Sequence, residues 1–313
     1  MKLSVVSTLY SSAPFLEEFL QRISSVCRKL TEDYEIVLVN DGSPDNSLEL
    51  AVALQTRHPQ ITVLDLSRNF GHHPAIMAGV DYAMGDLIFL IDSDLEDAPE
   101  LLISFHEHMQ ATQCDVVFGK TAQRNGGWLS RHAGLGFYKV FNALSGTPIP
   151  ENPCTVRLMT RNYVNAVKQV RDKNLFLVGT FTWAGFRQEA FTIKKHVRNE
   201  KSSYSLRRMV ALSINAVTSF SARPLHFAFY TGALFAALSM LAALYLIAHK
   251  ILNPTAIQMG YTSIILSIFF VGGLIIFFLG VIGIYISRIF NETKDRPLYL
   301  VKNVIVPNRE RHD

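Results

Sequence analysis

Leu87-Ile88-Phe89-Leu90-Ile91-Asp92-Ser93-Asp94-Leu95-Glu96-Asp97 runs from unbroken apolar residues straight into a cluster of acids. A short apolar run rich in branched and aromatic side chains predicts a buried strand. Asp92 and Asp94 then stand at its open end, and carboxylates two apart on extended backbone point to the same side. Two hard oxygen ligands suit Mg2+ or Mn2+, ions usually held by one or two carboxylates together with a substrate's phosphates. A nucleotide diphosphate would supply those phosphates, and the metal would offset the charge gathering on it as it leaves. Asp-x-Asp also occurs in ordinary solvated acidic turns; its place at the tip of an apolar strand selects the metal reading.

The same pattern repeats on the N-terminal side. Leu3–Leu9 is an apolar run followed by Pro14, which opens a helix. Glu35–Asn40 leads into the turn Asp41-Gly42-Ser43-Pro44 and a helix from Ser47, and Ile61–Leu66 is a further strand. Strands alternating with helices predict an α/β fold, Rossmann-like, with a mostly parallel sheet covered on both faces. Ligands of such sheets sit beyond the carboxyl ends of the strands, so Ser11, Asp41, Asn69 and Asp92–Asp94 are expected to converge on one crevice. Asp41 reads either as a contact to a ribose hydroxyl or base N–H, or as the cap of its own Asx-turn. His72 and His73 read as structural or substrate-contact residues, since adjacent histidines rarely ligate one ion. The sequence has no Gly-x-Gly-x-x-Gly after its first strand and no Gly-x-x-x-x-Gly-Lys-Ser/Thr, which disfavours a dinucleotide oxidoreductase and a P-loop nucleotidase.

The second half has a different character. No charged residue occurs from Leu225 to Ile247 or from Tyr261 to Ile286, and at about 1.5 Å per residue each stretch exceeds the roughly 30 Å of bilayer hydrocarbon. Two membrane spans are predicted. Lys250 lies between them, whereas Arg198, Lys201, Arg207, Arg208 and Arg223 precede the first and Arg288, Lys294, Arg296 and Lys302 follow the second, which puts both termini in the cytoplasm. Leu206, Met209, Val210, Val217 and Phe220 beside Arg207 and Arg208 read as an interfacial helix, or as an ordinary helix of the globular part. Gly272, Gly273, Gly280 and Gly283 would permit close helix packing, within the chain or between protomers. The expected division is a globular cytoplasmic domain over 1–202, a juxtamembrane helix over 203–223, a two-helix anchor over 224–288 and a cytoplasmic tail over 289–313. A net charge of +4 with basic residues gathered beside the apolar stretches fits membrane lipids better than nucleic acid. Three widely spaced cysteines support neither a disulfide framework nor a zinc knuckle. The first apolar run is too short for a signal peptide, so the protein is expected at the inner or plasma membrane as a multi-pass protein.

Asp41-Gly42-Ser43, Arg68-Asn69-Phe70-Gly71, Gly85-Asp86 and Asp92 through Glu100 stand in an order and spacing that resembles the inverting glycosyltransferases of the GT-A fold. The likeness is strongest to their polyisoprenyl-phosphate branch, the bactoprenol glucosyltransferases and dolichyl-phosphate mannose synthases. Arg157-Leu158-Met159, Asn174-Leu175-Phe176, Thr218-Ser219-Phe220-Ser221 with Pro224, and Arg296-Pro297 with Tyr299 extend it over nearly the whole chain. The resemblance implies transfer of a hexose from a nucleotide-sugar, UDP-glucose before others, to a polyisoprenyl phosphate such as undecaprenyl phosphate, giving a β-linked product. It implies a homo-oligomer, up to a tetramer. It implies Asp41 on the nucleoside, Asp92 and Asp94 at the metal and diphosphate, and Asp97 nearby in the same loop; Tyr10, Asn69, Ser93 and Arg124 are the further candidates for the donor, and Asp94, Asp97, Arg131 and Arg157 the expected catalytic residues.

A lipid phosphate is already ionised at neutral pH and needs little help from a general base. The site must instead hold two anions in line, a task for metal, Arg and Lys. Arg124, Arg131, Arg157 and Lys201 are the candidates, with Arg131 and Lys201 for the acceptor phosphate; each also reads as a solvated surface charge. Departures from the family pattern are Thr8-Leu9-Tyr10-Ser11-Ser12 in place of Pro-x-Tyr-Asn-Glu, Cys154-Thr155-Val156 where relatives carry Gly-Asp, and the displaced Lys of Lys201-Ser202-Ser203-Tyr204. Alternatives are a transferase acting on a lipid-diphosphate-linked sugar and a non-catalytic membrane scaffold of the same fold. A processive synthase is disfavoured by the small number of spans.

Overall fold

Every residue of β1 (Leu3–Leu9) is buried, as befits a strand with helices on both sides. A computed structural model describes residues 1–121, 149–150, 152–170, 172–173, 175–193, 223–252 and 261–307 of the chain. β1, β2 (Tyr34–Asn40), β3 (Ile61–Leu66) and β4 (Leu87–Leu90) are parallel, with Val5 aligned to Ile36 on one side and to Phe89 on the other. The connecting helices are α1 (Ala13–Leu30), α2 (Ser47–Gln55) and α3 (His72–Tyr82); α4 (Leu101–Thr112) follows β4. β5 (Val116–Thr121), β6 (Pro153–Thr160), α5 (Arg161–Val167), α6 (Leu177–Trp183) and β7 (Gln188–Ile193) complete the globular part.

Alternation along β1 sorts its side chains into two cores. Val5 and Leu9 pack with Phe19, Leu20 and Ile23 of α1 and with Phe105 of α4. Val6 packs on the opposite face with Ile76, Met77 and Val80 of α3 and with Tyr163 and Phe181. Helix α3 lies so close to the sheet that a Cβ on Gly79 would collide with Val6 Cγ1 and stand 3.0 Å from Val39 Cγ2.

With β8 (Val301–Ile305) near the end of the chain, the sheet order is β7-β5-β6-β4-β1-β2-β3-β8. The mostly parallel expectation holds for the central strands, but β6 is antiparallel to both β4 and β5, and the sheet as a whole is mixed. Strand order reverses at β1, between β4 and β2, and this is the switch point at which a crevice opens in such sheets. β4 ends at Leu90, one residue before the expected Ile91, although Ile91 N still donates to Val6 O at 3.1 Å.

Two long helices follow, α7 (Arg223–Leu252) and α8 (Tyr261–Thr293), and Phe235 meets Phe270 at 5.8 Å between ring centroids. Within α8, Phe270–Thr293 is long and apolar enough to cross a membrane, with mean hydropathy 2.4 and none of its most apolar window buried. Along α7 the large side chains Phe227, Phe229, Leu234, Leu238, Leu241 and Leu244 are exposed. The expected juxtamembrane helix lies outside the described residues.

Residues 289–313, read as a tail, contain β8 (Val301–Ile305), which pairs antiparallel with β3 through Val63–Ile305 and Leu64–Val304. Several contacts hold this returning segment. Tyr299 Oη donates to Asp81 Oδ2 at 2.7 Å, Ser67 N to Leu300 O at 2.9 Å, and Gln55 Nε2 to Ile305 O at 2.8 Å. At the end of α8, Lys173 Nζ lies 2.8 Å from Asp295 Oδ1, and Lys173 N donates to Glu292 Oε1 at 3.0 Å.

Candidate active site

The crevice is built on the exits of β1 and β4. After β4 the chain turns sharply: Leu95 takes φ 61°, and Glu96 N donates to Asp94 Oδ1 at 3.0 Å. Burial alternates through the turn, with Asp92 and Asp94 half-buried and Ser93 and Asp97 buried. Ser93 Oγ donates to Thr8 O and lies 2.9 Å from Ser12 Oγ, which in turn accepts from Tyr10 N at 3.1 Å. The acid turn is thereby fastened to the end of β1. The Ser93 hydroxyl is engaged by the protein itself. Tyr10 itself is 55% exposed at the crevice mouth.

His72, the first residue of α3, joins the loops. Its Nε2 lies 3.4 Å from Asp92 Oδ1 and its Nδ1 3.3 Å from Thr8 Oγ1. Burial lowers its pKa, against the pull of the Asp41 and Asp94 carboxylates. His73 is likewise lowered by burial, with further lowering by His72 and Arg157, and it shares a hydrogen bond with the Leu175 backbone.

Asp41 accepts from Phe70 N at 2.7 Å through Oδ1 and from Gly71 N at 3.0 Å through Oδ2. Through these bonds it grips the entry to α3 across the crevice. Burial raises its pKa, opposed by those two N–H groups and by His72 and Arg68. Gly42 has φ 60°, and a Cβ there would stand 2.6 Å from Asn69 N, so the Asp-Gly pair is required by the contact between these loops. Asn69 is exposed beside Arg68, whose guanidinium lies 4.0 Å over the Phe70 ring. Beneath the turn, Asp45 accepts from Ser43 Oγ at 2.5 Å, Ser47 Oγ at 2.6 Å and Ala13 N at 3.2 Å. Burial pushes its carboxyl up, and these bonds outweigh burial to bring it to about 2.

The stretch 4–192 matches the family model for glycosyl transferase family 2, and it holds every element of the crevice. The chain belongs to glycosyl transferase family 2. This family 2 chain is 44% identical over 304 residues to a protein of Mycobacterium tuberculosis described as "Putative glycosyltransferases", across 97% of this chain and 88% of that one. It is 34% identical over 308 residues to the bactoprenol glucosyl transferase of Shigella phage SfV, across 97% and 99%. Among solved structures it is similar to S. aureus TarS 1–349 in complex with UDP-GlcNAc at 17% identity and TM-score 0.47, covering 70% and 66% of the two chains. That likeness is too distant to assign a ligand to this chain.

In this family 2 glycosyltransferase no group of three His, Cys, Asp or Glu side chains forms a ready metal cage among the described residues. The donor set fits an ion of another kind. Asp92 and Asp94 on a polar, half-buried turn suit a hard cation that takes its remaining ligands from phosphate and water. Asp97 is buried in the same loop, at 2% exposed.

Arg157, a candidate for holding the two anions, is enclosed by the protein. It is 3% exposed, stacks at 3.7 Å over the Phe181 ring, and donates to Thr155 O at 3.1 Å and Cys154 O at 3.2 Å. Burial lowers it to about 10, partly offset by Tyr163 and Cys154. A guanidinium so enclosed braces β6 beside the exit of β4, where Arg157 is the register partner of Leu90. Arg124, Arg131 and Lys201 lie outside the described residues.

His72 is the site residue that sequence reading missed in its detail. The available signal was its place directly after Gly71 at the start of a helix leaving a strand end.

Proposed function

We propose that this glycosyltransferase moves a hexose, from UDP-glucose before other donors, onto a polyisoprenyl phosphate such as undecaprenyl phosphate at the cytoplasmic face of a membrane. The observation that carries the reading is the Asp92-Ser93-Asp94 turn, fastened at the switch point of a sheet whose own chain continues into two long apolar helices. The bactoprenol glucosyl transferase relatives, matched over nearly their full length, support the acceptor class.

A phosphate oxygen of the acceptor forms a bond to C1 of the sugar as the bond from C1 to the donor diphosphate breaks, and the nucleoside diphosphate departs with the electron pair. Attack opposite the leaving group inverts an α-linked donor to a β-linked product. The acceptor is already an anion, so Thr155 in place of a carboxylate does not deprive the reaction of a required base. Mg2+ or Mn2+ held by Asp92 and Asp94 would neutralise charge on the diphosphate. His72 orients Asp92, Asp41 holds the entry to α3 and its turn lies against the nucleoside with Asn69 and Ser93, and Tyr10 offers an exposed ring at the donor side. Arg124, Arg131 and Lys201 are proposed for the two anions, and Asp97 for holding the acid loop.

The topology supports two crossings. β8 follows α8 and pairs with β3, so the chain must return to the compartment in which the sheet lies. Crossings then occur in even number: if α8 spans the bilayer, α7 does too. Both termini and the catalytic domain (1–202, with β8 added to its edge) share the cytoplasmic side by the distribution of Lys and Arg. A Cβ added at Gly272, Gly273, Gly280 or Gly283 of α8 would meet nothing within 4 Å beyond its own surroundings in the helix, room that self-association in the membrane would fill.

Membranes carrying the protein, incubated with undecaprenyl phosphate and radiolabelled UDP-glucose, UDP-galactose or GDP-mannose, test this directly. A lipid-soluble, β-linked product that needs Mg2+ or Mn2+ is expected. No lipid-soluble label from any donor, with either ion, would end the reading.

A further inference from the structure

Asp65 on β3 takes no part in the chemistry above, yet it is 4% exposed and its two oxygens face different elements. Oδ1 accepts from Asn40 Nδ2 at 2.8 Å, and Oδ2 lies 3.8 Å from Lys302 Nζ on β8. Asn40 and Asp65 are register partners at the ends of β2 and β3. Asn40, also 4% exposed, accepts from Ser43 N at 3.2 Å through Oδ1, and Ser43 closes the turn that begins at Asp41.

The chemistry of these groups sets a direction. An ionised carboxylate can only accept, so Asp65 requires the NH2 end of Asn40 and leaves the carbonyl end to Ser43 N. A neutral or missing side chain at 65 would let the amide turn over and present donors to a donor. The buried carboxylate needs positive charge nearby, and Lys302 supplies it from the strand that follows the apolar helices. Its ammonium is largely solvated and the spacing is long, so its share is the smaller one.

We propose that Asp65 is a positioning residue for the nucleotide-sugar, and that Lys302 acts through it, so that the segment returning from the membrane helps set the Asp41-Gly42-Ser43 turn. This rests on the reading that this turn lies against the nucleoside.

The test uses the full-length protein in detergent, with UDP binding followed by calorimetry and amide exchange followed at Ser43. Asp65→Asn is expected to weaken UDP about tenfold, the scale of a disturbed buried hydrogen bond. Lys302→Met is expected to weaken it about threefold, the scale of a half-exposed pair, and Lys302→Arg to stay near wild type. The double variant should be no worse than Asp65→Asn alone, because Lys302 has no charge left to balance. Donor KM should rise with kcat unchanged, since the turn does not touch the reacting atoms, and Ser43 should exchange faster in Asp65→Asn and in Lys302→Met. Wild-type affinity and exchange in Asp65→Asn and Lys302→Met, or fully additive losses in the double, would overturn the proposal. A wild-type protein that binds no UDP refutes the nucleoside reading instead, and the Ser43 exchange rates still decide whether Lys302 and Asp65 set the turn.

Discussion

His72 stands between two strands' worth of loop: its Nε2 is 3.4 Å from Asp92 Oδ1 and its Nδ1 3.3 Å from Thr8 Oγ1. Because burial lowers its pKa, the neutral ring can bridge a hydroxyl and a carboxylate. Removal frees Asp92 from one restraint. His72→Ala is expected to lower kcat/KM about tenfold, the scale of one hydrogen bond to a charged group. Steady-state kinetics with UDP-glucose check this, and a variant at wild-type rate would show that Asp92 is held from elsewhere.

Asp92 and Asp94 answer to a harsher test. Asp94→Asn keeps the shape of the turn, including an acceptor for Glu96 N, and removes the charge. Loss of electrostatic support for a departing diphosphate should reduce kcat by about a hundredfold or more. Added Mn2+ should no longer tighten UDP binding, and a calorimetric titration with and without the ion reads that directly. Unchanged lipid glycosylation would favour the scaffold alternative.

Asp45 predicts an acid response. Its folded pKa of about 2 lies below the ordinary carboxyl value of about 3.9. Between these values the unfolded chain binds more protons than the folded one, so stability rises with pH across the window. The contribution is fully present above about pH 4 and disappears as pH falls toward 2. Urea unfolding midpoints of wild type and Asp45→Asn, followed at pH 6, 4 and 3, should show a smaller acid loss in the variant, together with a lower midpoint at pH 6.

Gly79 predicts a packing defect with a remedy. A methyl group there would collide with Val6 Cγ1 and press on Val39. Gly79→Ala should lower stability by about 1–3 kcal/mol, the range of overpacked cores, despite the better helix propensity of alanine. Adding Val6→Ala removes the colliding atom, so the double variant should melt above the sum of the two single losses. Simple additivity would mean that α3 shifts to make room.

Much of this was readable in advance because the central strands are continuous apolar runs that end in polar turns. Val5, Val37 and Phe89 announce burial by composition alone, and Asp92 and Asp94 inherit their location from the strand before them. β8 carried no such signal: Val301-Lys302-Asn303-Val304-Ile305 is short, mixed and mostly exposed, and its pairing depends on an edge of β3 more than 230 residues earlier in the chain. Ser93 and Asp41 were legible as polar residues at strand ends, but their bonds to Thr8 O and to the Phe70 and Gly71 amides were not. Whether a polar side chain faces a ligand or an adjoining loop is settled by separations across loops, such as Asp41 to Gly71, that spacing along the chain does not encode. Arg157 shows the same limit, since nothing local announces that Phe181 will cover it.

The edge pairing of β3 with β8 also orders the protein's assembly in time. A ribosome releases β3 long before β8, and both long helices are made between them, so the nascent domain carries an open sheet edge until they are complete. Open edges invite pairing with the wrong chain. Completion of the two long helices thus precedes closure of the sheet, and a chain arrested before β8 is left with a sticky rim.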